Sequence, residues 1–280
     1  MARKQMSEEL SPARWAFNIT HILNTVLGPE HFPINVQEVA KELSLQMYRD
    51  DPITEIQGKN IPGFEGALFK DPSGQKGWAI FFNNSFQSKG RINFTLAHEF
   101  GHYLIHRVRY PNGIQCSESD LVRWDSELGQ IEHQANVFAA NLLMPLDDYR
   151  RQIPDNIKIT MEMMDVVTQR YAVSLLAALI RWIDYTSKRA IVVVSRSGFI
   201  LWAKPSKSAF SSGIFYRTAS SPPIEVPANS IAARPADFDI EKAKKGMKHG
   251  PGVWFKEPSE EITVFADQYD LTISIIQFAL

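Results

Sequence analysis

Cysteine is almost absent. Cys116 is the only one in 280 residues, so no internal disulfide can form. Long apolar runs are missing too: the longest, Leu175–Ile180 and Ala190–Val194, fall far short of the roughly 20 residues that cross a bilayer. The N-terminal stretch lacks the apolar core, roughly 7–15 residues long, of a secretory signal. These three absences predict a cytoplasmic, reducing compartment and no membrane partner. There is no excess charge of either sign: 30 Lys plus Arg stand against 31 Asp plus Glu, a net charge of −1. That balance removes the electrostatic case for a protein that wraps nucleic-acid phosphates, while leaving room for a local basic patch. No internal repeat or strongly biased tract stands out. What remains is ordinary globular composition, 44% hydrophobic and 22% charged, which excludes a disordered chain or a fibre. The length suits two domains of roughly 100–200 residues.

Helical periodicity opens the chain. Trp15, Ile19, Ile22, Leu23 and Val26 predict a helix over Pro12–Leu27 that stops at Gly28-Pro29. Asn35, three residues before Glu38, has the spacing of a capping residue for a second helix with Val36, Val39, Ala40 and Leu43 on one face. From Leu45 to Asn84, short apolar pieces split by Gly and Pro predict a small sheet, including Gly66–Lys70 and Gly77–Asn83 with a turn at Asp71–Gly74. Two longer helices follow, over 89–109 and 126–144. The first carries His106, Arg107 and Arg109 as cations suited to its C-terminus. The second carries a stripe of Leu128, Ile131, Ala135, Phe138, Ala139 and Leu142 and is closed by Pro145. Helices over 160–170 and 174–185 come next, with helix-turn-helix proportions. After Lys188 the pattern turns to strands, expected at Ala190–Ser195, Gly198–Ala203, Ile214–Thr218, Val253–Lys256, Glu261–Phe265 and Tyr269–Ile276, with long loops between Pro205 and Gly252.

The chemistry concentrates in the two central helices. His98-Glu99-Phe100-Gly101-His102 has the H-E-x-x-H form. Residues four apart share one helix face, so both imidazoles can reach one ion. Glu99, about 100° round the helix, stands beside that ion, where it can hold its water. A solvated polar face is the ordinary alternative. Yet Ile92, Phe94, Leu96, Ala97, Phe100, Tyr103, Leu104 and Ile105 make this helix apolar nearly all round. Two His and a Glu inside such a helix would be costly unless paired or bound to metal. Gly101 costs about 1 kcal/mol relative to Ala and is expected to let another element approach closely.

A catalytic zinc needs a third protein ligand and an open fourth position. Val108 occupies the position six residues after His102, and His106 comes only four after it, which excludes the metzincin arrangement. A ligand from a separate helix is the remaining common solution. The second central helix offers Glu132, with Asn136 four residues on, placed to hydrogen-bond a ligand histidine from behind and fix its tautomer. Asp125, Glu127, Glu118 and His133 compete for the ligand role.

The run Arg91-Ile-Asn-Phe-Thr-Leu-Ala-His-Glu-Phe-Gly-His-Tyr-Leu-Ile-His, followed by Glu132-His-Gln-Ala-Asn-Val-Phe-Ala-Ala-Asn-Leu-Leu-Met-Pro, resembles the ImmA/IrrE metallopeptidase family. The resemblance covers about Ile34 to Asp184, and nothing after Lys188 matches the family. It implies a zincin-like fold with His98, His102 and Glu132 as metal ligands, Glu99 as base, and a helix-turn-helix-like pair behind the site. One departure is Gln134, where the family commonly shows an acidic residue. The expected fold class is α+β. Residues 1–154 would form a zincin-like metallopeptidase domain with N-terminal helices, 155–187 a helix-turn-helix-like extension, and 188–280 a smaller β-rich domain of unassigned role.

The resemblance further implies an intracellular, site-specific protease whose protein substrate is a helix-turn-helix repressor, entering as an extended strand beside the small sheet. Zinc is the expected metal, and manganese or iron suits the same ligands. A second oxyanion donor is expected from among Tyr103, His106, His133 and Tyr149. The loop over 113–124, with Cys116, Glu118 and Asp120, is expected to border the cleft. Two other readings compete. One is a DNA-binding regulator using residues 160–185. The other is a binding module or toxin–antitoxin component with a structural metal site, for which Cys116 would be the candidate fourth ligand.

Overall fold

The computed structural model describes residues 10–60, 63, 65–71, 77–85, 88–116, 127–219, 222–266 and 270–279. Among these are nine α-helices and two sheets, an α+β arrangement with a β-rich C-terminal region. The expected turn at Asp71–Gly74 falls largely outside the described residues, as do Glu118, Asp120, Asp125 and Tyr269. No single described helix is long and apolar enough to cross a membrane. By packing, the chain divides into two compact units, one of residues 1–148 with 168–174, the other of residues 149–167 with 175–280.

The first unit begins with helix α1 (Pro12–Leu27), where Ser11 accepts a hydrogen bond from Arg14 N and Pro12 occupies the first turn. Both features suit donors that have no partner inside the helix. Helix α2 (Val36–Met47) is capped as its spacing predicts: the Asn35 side chain accepts from Glu38 N. Strands β1 (Ile53–Lys59), β2 (Gly66–Lys70), β3 (Trp78–Asn83) and β4 (Gly113–Cys116) form a mixed sheet in the order β1-β3-β2-β4. In it β1 runs parallel to β3, and β2 runs antiparallel to both β3 and β4.

Helix α3 (Lys89–Ile105) starts at Ser88, whose hydroxyl accepts from Arg91 N, and packs against β2, β3, α2 and helix α4 (Glu127–Leu143). Every residue of α3 from Thr95 to Leu104 is buried, as expected of a central helix. It ends at His106, earlier than the sequence predicts. His106 is itself buried, and burial keeps its imidazole below its ordinary value against the hydrogen bond to Gln134, so it is not the helix-end cation expected. Helix α4 packs on α1 as well as α3. Its buried stripe is Ile131, Ala135, Phe138, Ala139 and Leu142, but Leu128, expected on the same stripe, is 49% exposed. Pro145 does close α4, yet a short helix, α5 (Leu146–Gln152), restarts at once with Asp147 and Asp148 in its first turn.

Helices α6 (Met161–Tyr171) and α7 (Leu175–Tyr185) follow, bent by 108° at their short connection. In the second unit, strands β5 (Ala190–Arg196), β6 (Phe199–Pro205), β7 (Ile224–Glu225), β8 (Met247–His249), β9 (Ser259–Ala266) and β10 (Leu271–Phe278) form an antiparallel sheet in the order β7-β6-β5-β10-β9-β8. Short helices α8 (Lys207–Ser211) and α9 (Ile240–Lys245) occupy the stretch expected as loops. The strands expected at Ile214–Thr218 and Val253–Lys256 do not form. Ile214, Val253, Trp254 and Phe255 instead pack as irregular chain against the core around Ile191, Val193, Ile276 and Phe278, and apolar composition alone does not distinguish the two fates. Gln277 bonds both backbone polar groups of Ile159, tying the segment before α6 to β10.

A fully buried carboxylate anchors the sheet's outer end. Glu261 accepts from Ile231 N, Ala232 N, Trp254 Nε1 and Thr263 Oγ1, and lies 2.7 Å from His249 Nε2. Replacing Glu261 by Ala strands those groups in the interior and is expected to destabilise this unit by about 3–5 kcal/mol, read by urea or thermal denaturation.

Candidate metal centre

Three ligand atoms converge between α3 and α4. His98 Nε2 and His102 Nε2 lie 2.9 Å apart. Glu132 turns one oxygen to each: Oε2 is 3.0 Å from His98 Nε2, and Oε1 is 3.3 Å from His102 Nε2. All three residues are buried, and together they could hold a metal ion. A tetrahedral ion with bonds of about 2.0–2.1 Å needs its ligand atoms about 3.3 Å apart, close to the separations found.

Hydrogen bonding supports that fit. His98 Nδ1 lies 2.9 Å from Asn136 Oδ1, an acceptor, so the neutral ring carries its proton there and turns the Nε2 lone pair toward His102 and Glu132. Two ring nitrogens facing each other across 2.9 Å need a proton or a cation between them. The field points the same way. Burial disfavours a charged His98, but the hydrogen bond to Glu132 and the charges of Glu99 and Glu132 outweigh it, raising the ring above its ordinary value. A field that favours a proton at that place also favours a metal cation. His102 behaves oppositely: burial, only partly offset by Glu132, lowers it to about 3, so it is neutral at physiological pH. Burial works against ionised Glu132, yet the hydrogen bonds to His102 and His98 hold its carboxyl far below the usual range. Neutral imidazole and ionised carboxylate are the forms that ligate metal.

Glu99 is fully buried and faces β2 rather than joining the three ligands. A Cβ at Gly66 would stand 2.6 Å from Glu99 Oε1 and 2.6 Å from Thr95 Cγ2. Gly66 is therefore where the sheet touches the carboxylate, a role that a strand glycine signals only once its neighbour is known. Gly101 does for α4 what was expected of it: its missing side chain admits Phe138, whose Cδ1 would lie 2.9 Å from a Cβ there.

The other candidates go elsewhere. Glu127 is exposed, pairs with Arg109 at 2.9 Å and accepts from the Tyr110 hydroxyl, and His133 is exposed on α4. Among the proposed oxyanion donors, Tyr103 donates its hydroxyl to Asp51 O and Tyr149 to Ala178 O. His106 lies between His102 and Gln134, with its Nδ1 3.0 Å from His102 Nδ1 and its Nε2 2.9 Å from Gln134 Oε1. Sequence reasoning named both residues without joining them. The four-residue step from His102 to His106 was the available signal.

Residues 50–182 match the model of the Peptidase_M78 family, described as the IrrE N-terminal-like domain. This segment is similar to that domain. Both α3 and α4, with every residue of the candidate metal centre, lie inside it. No curated protein matches the chain. Among solved structures, a Mycobacterium tuberculosis transcriptional regulator is similar with a TM-score of 0.53 at 12% identity, covering 94% of this chain and 75% of that one. At that identity the likeness extends to the fold alone.

Proposed function

We propose that the IrrE N-terminal-like domain is a zincin-like, zinc-dependent endopeptidase of the cytoplasm. Its substrate in this proposal is a specific protein, a helix-turn-helix transcriptional repressor whose cleavage relieves repression. The observation that carries the reading is the convergence of His98, His102 and Glu132 at tetrahedral separations, with a second buried acid, Glu99, held one residue from the first ligand. Three protein ligands are the number of a catalytic zinc site, which keeps its remaining position for water or substrate. Manganese or iron would fit the same ligands. The family match and the likeness to a transcriptional regulator support a substrate from transcriptional control.

Bound at this centre, zinc would supply Lewis acidity, bringing the pKa of a water toward about 7 and polarising the scissile carbonyl. Glu99 takes the proton of the attacking water and returns it to the leaving amine. Asn136 holds His98 in the ligating tautomer. Burial of α3 keeps the proton transfer out of bulk water. The test is a cleavage assay on repressors encoded beside this gene, comparing wild type with Glu99→Gln and mapping the product termini by mass spectrometry. Absence of cleavage by zinc-loaded wild type across those repressors would overturn the substrate assignment.

Gly66 gives a sharper check on the base. In Gly66→Ala, the new methyl group forces the Glu99 carboxylate to move, and a misplacement near 1 Å can cost about 10²-fold in rate. Zinc content is expected to stay at the wild-type level, which separates loss of the base from loss of the metal.

The angle between α6 and α7, together with the likeness to a transcriptional regulator, favours a second reading, a DNA-binding regulator. The exposed residues of the two helices are Glu162, Asp165, Val166, Gln169 and Asp184, a surface that repels phosphate, so this reading ranks below the first.

A further inference from the structure

We propose that His106 and Gln134 are positioning residues for the metal, forming a hydrogen-bonded brace that locks His102 into the tautomer and ring orientation a ligand needs. The inference rests on reading His98, His102 and Glu132 as the metal-binding set. His102 Nε2 faces His98 Nε2 and Glu132, so its lone pair is committed to the cluster and its proton sits on Nδ1. That Nδ1 lies 3.0 Å from His106 Nδ1, which must then accept. With Nδ1 accepting, His106 carries its own proton on Nε2 and donates it to Gln134 Oε1 at 2.9 Å. Each bond has one donor and one acceptor, and both rings stay neutral. The reverse assignment would push a proton from His102 Nε2 into the ligand cluster and oblige Gln134 to turn its NH2 toward the ring.

The fold builds this brace from ordinary parts. His102 and His106 are one turn apart on α3, and Gln134 lies two residues after Glu132 on α4. The close approach of Gly101 to Phe138 brings the two helices together along this line. A pattern emerges in which each ligand histidine is backed by an amide oxygen from α4: Asn136 bonds His98 directly, and Gln134 bonds His102 through His106. A neutral acceptor at 134 ends the chain without a third carboxylate, leaving the negative charge at the centre to Glu132 and Glu99.

The experiment measures zinc affinity of the full chain by competition with a chromophoric chelator, and the visible spectrum of the Co2+-substituted protein, in wild type, His106→Ala, His106→Gln and Gln134→Ala. Melting temperatures of the metal-free proteins are taken in parallel. Loss of an outer partner typically costs about 10–100-fold in metal affinity, and that loss with an altered Co2+ spectrum is expected for His106→Ala. Gln134→Ala should lose less, and His106→Gln, whose amide oxygen can accept from His102 Nδ1, should recover much of the affinity. Unchanged zinc affinity in His106→Ala, with or without a lower melting temperature, overturns the brace. If that variant does not fold, unchanged affinity and spectrum in Gln134→Ala do the same. A wild type that binds no metal refutes the proposed function itself, an outcome distinct from a wild type that binds zinc and is indifferent to His106.

Discussion

Glu99→Gln is expected to retain one equivalent of zinc and lose about 10²–10⁴-fold in peptide hydrolysis, the range that a positioned general base contributes. The amide has nearly the shape of the carboxylate, so its place against Gly66 survives and the fold is preserved. It cannot take a proton from water. Because Glu99 lies outside the cluster of three ligand atoms, metal content is the control that gives the result its meaning. Steady-state rates on the cleaved repressor, alongside elemental analysis of the same samples, provide both numbers. A variant with wild-type activity would remove Glu99 from the mechanism and require another base.

Glu132→Ala is expected to lower zinc affinity more than ~100-fold, beyond the loss typical of an outer-sphere partner, and to abolish hydrolysis at sub-saturating metal. The carboxylate faces both imidazoles, so its removal leaves two neutral nitrogens that bind a divalent ion weakly. Stability should change as well. In the metal-free protein the Glu132 carboxyl is held below its unfolded value, so its contribution is present above the unfolded carboxyl pKa and is lost as the pH falls through the lower folded one. At pH 7 the chelated variant should therefore unfold at a lower temperature than chelated wild type, and the gap should narrow in strong acid. Added zinc should raise the melting temperature of wild type far more than that of the variant, because an ion that binds only the folded state stabilises it by mass action. Equal zinc-dependent shifts in both proteins would sink the role of Glu132.

These expectations separate residues that a linear reading can pair from residues that it cannot. His98, Glu99 and His102 lie within one helical turn, and helix geometry places their side chains whatever the rest of the chain does. Glu132 is 30 residues from His102, and sequence left it competing with Glu127, Glu118, Asp125 and His133. Packing of α4 on α3 brings Glu132 to the histidines and leaves Glu127 with Arg109 at the surface. His106 shows the limit more sharply. Its position near a helix end suggested a cation or an oxyanion donor, but burial beside His102 and Gln134 makes it a neutral link. Gly66 carried no chemical signal in the sequence, since its importance lies in an atom it does not have, facing a carboxylate on another element.

By itself the sequence determined the local matters: the cap at Asn35, the course of α1, α2, α6 and α7, the buried character of α3, and the one-turn spacing of two imidazoles. These depend on interactions between residues a few positions apart, which periodicity and capping chemistry express directly. Tertiary structure alone decided which acid meets the histidines, which amide oxygens hold their tautomers, where the sheet touches Glu99, and why Ile214–Thr218 and Val253–Lys256 pack without pairing as strands. Those outcomes arise from contacts between distant parts of the chain, where burial and shape select among alternatives that local pattern leaves equal in energy.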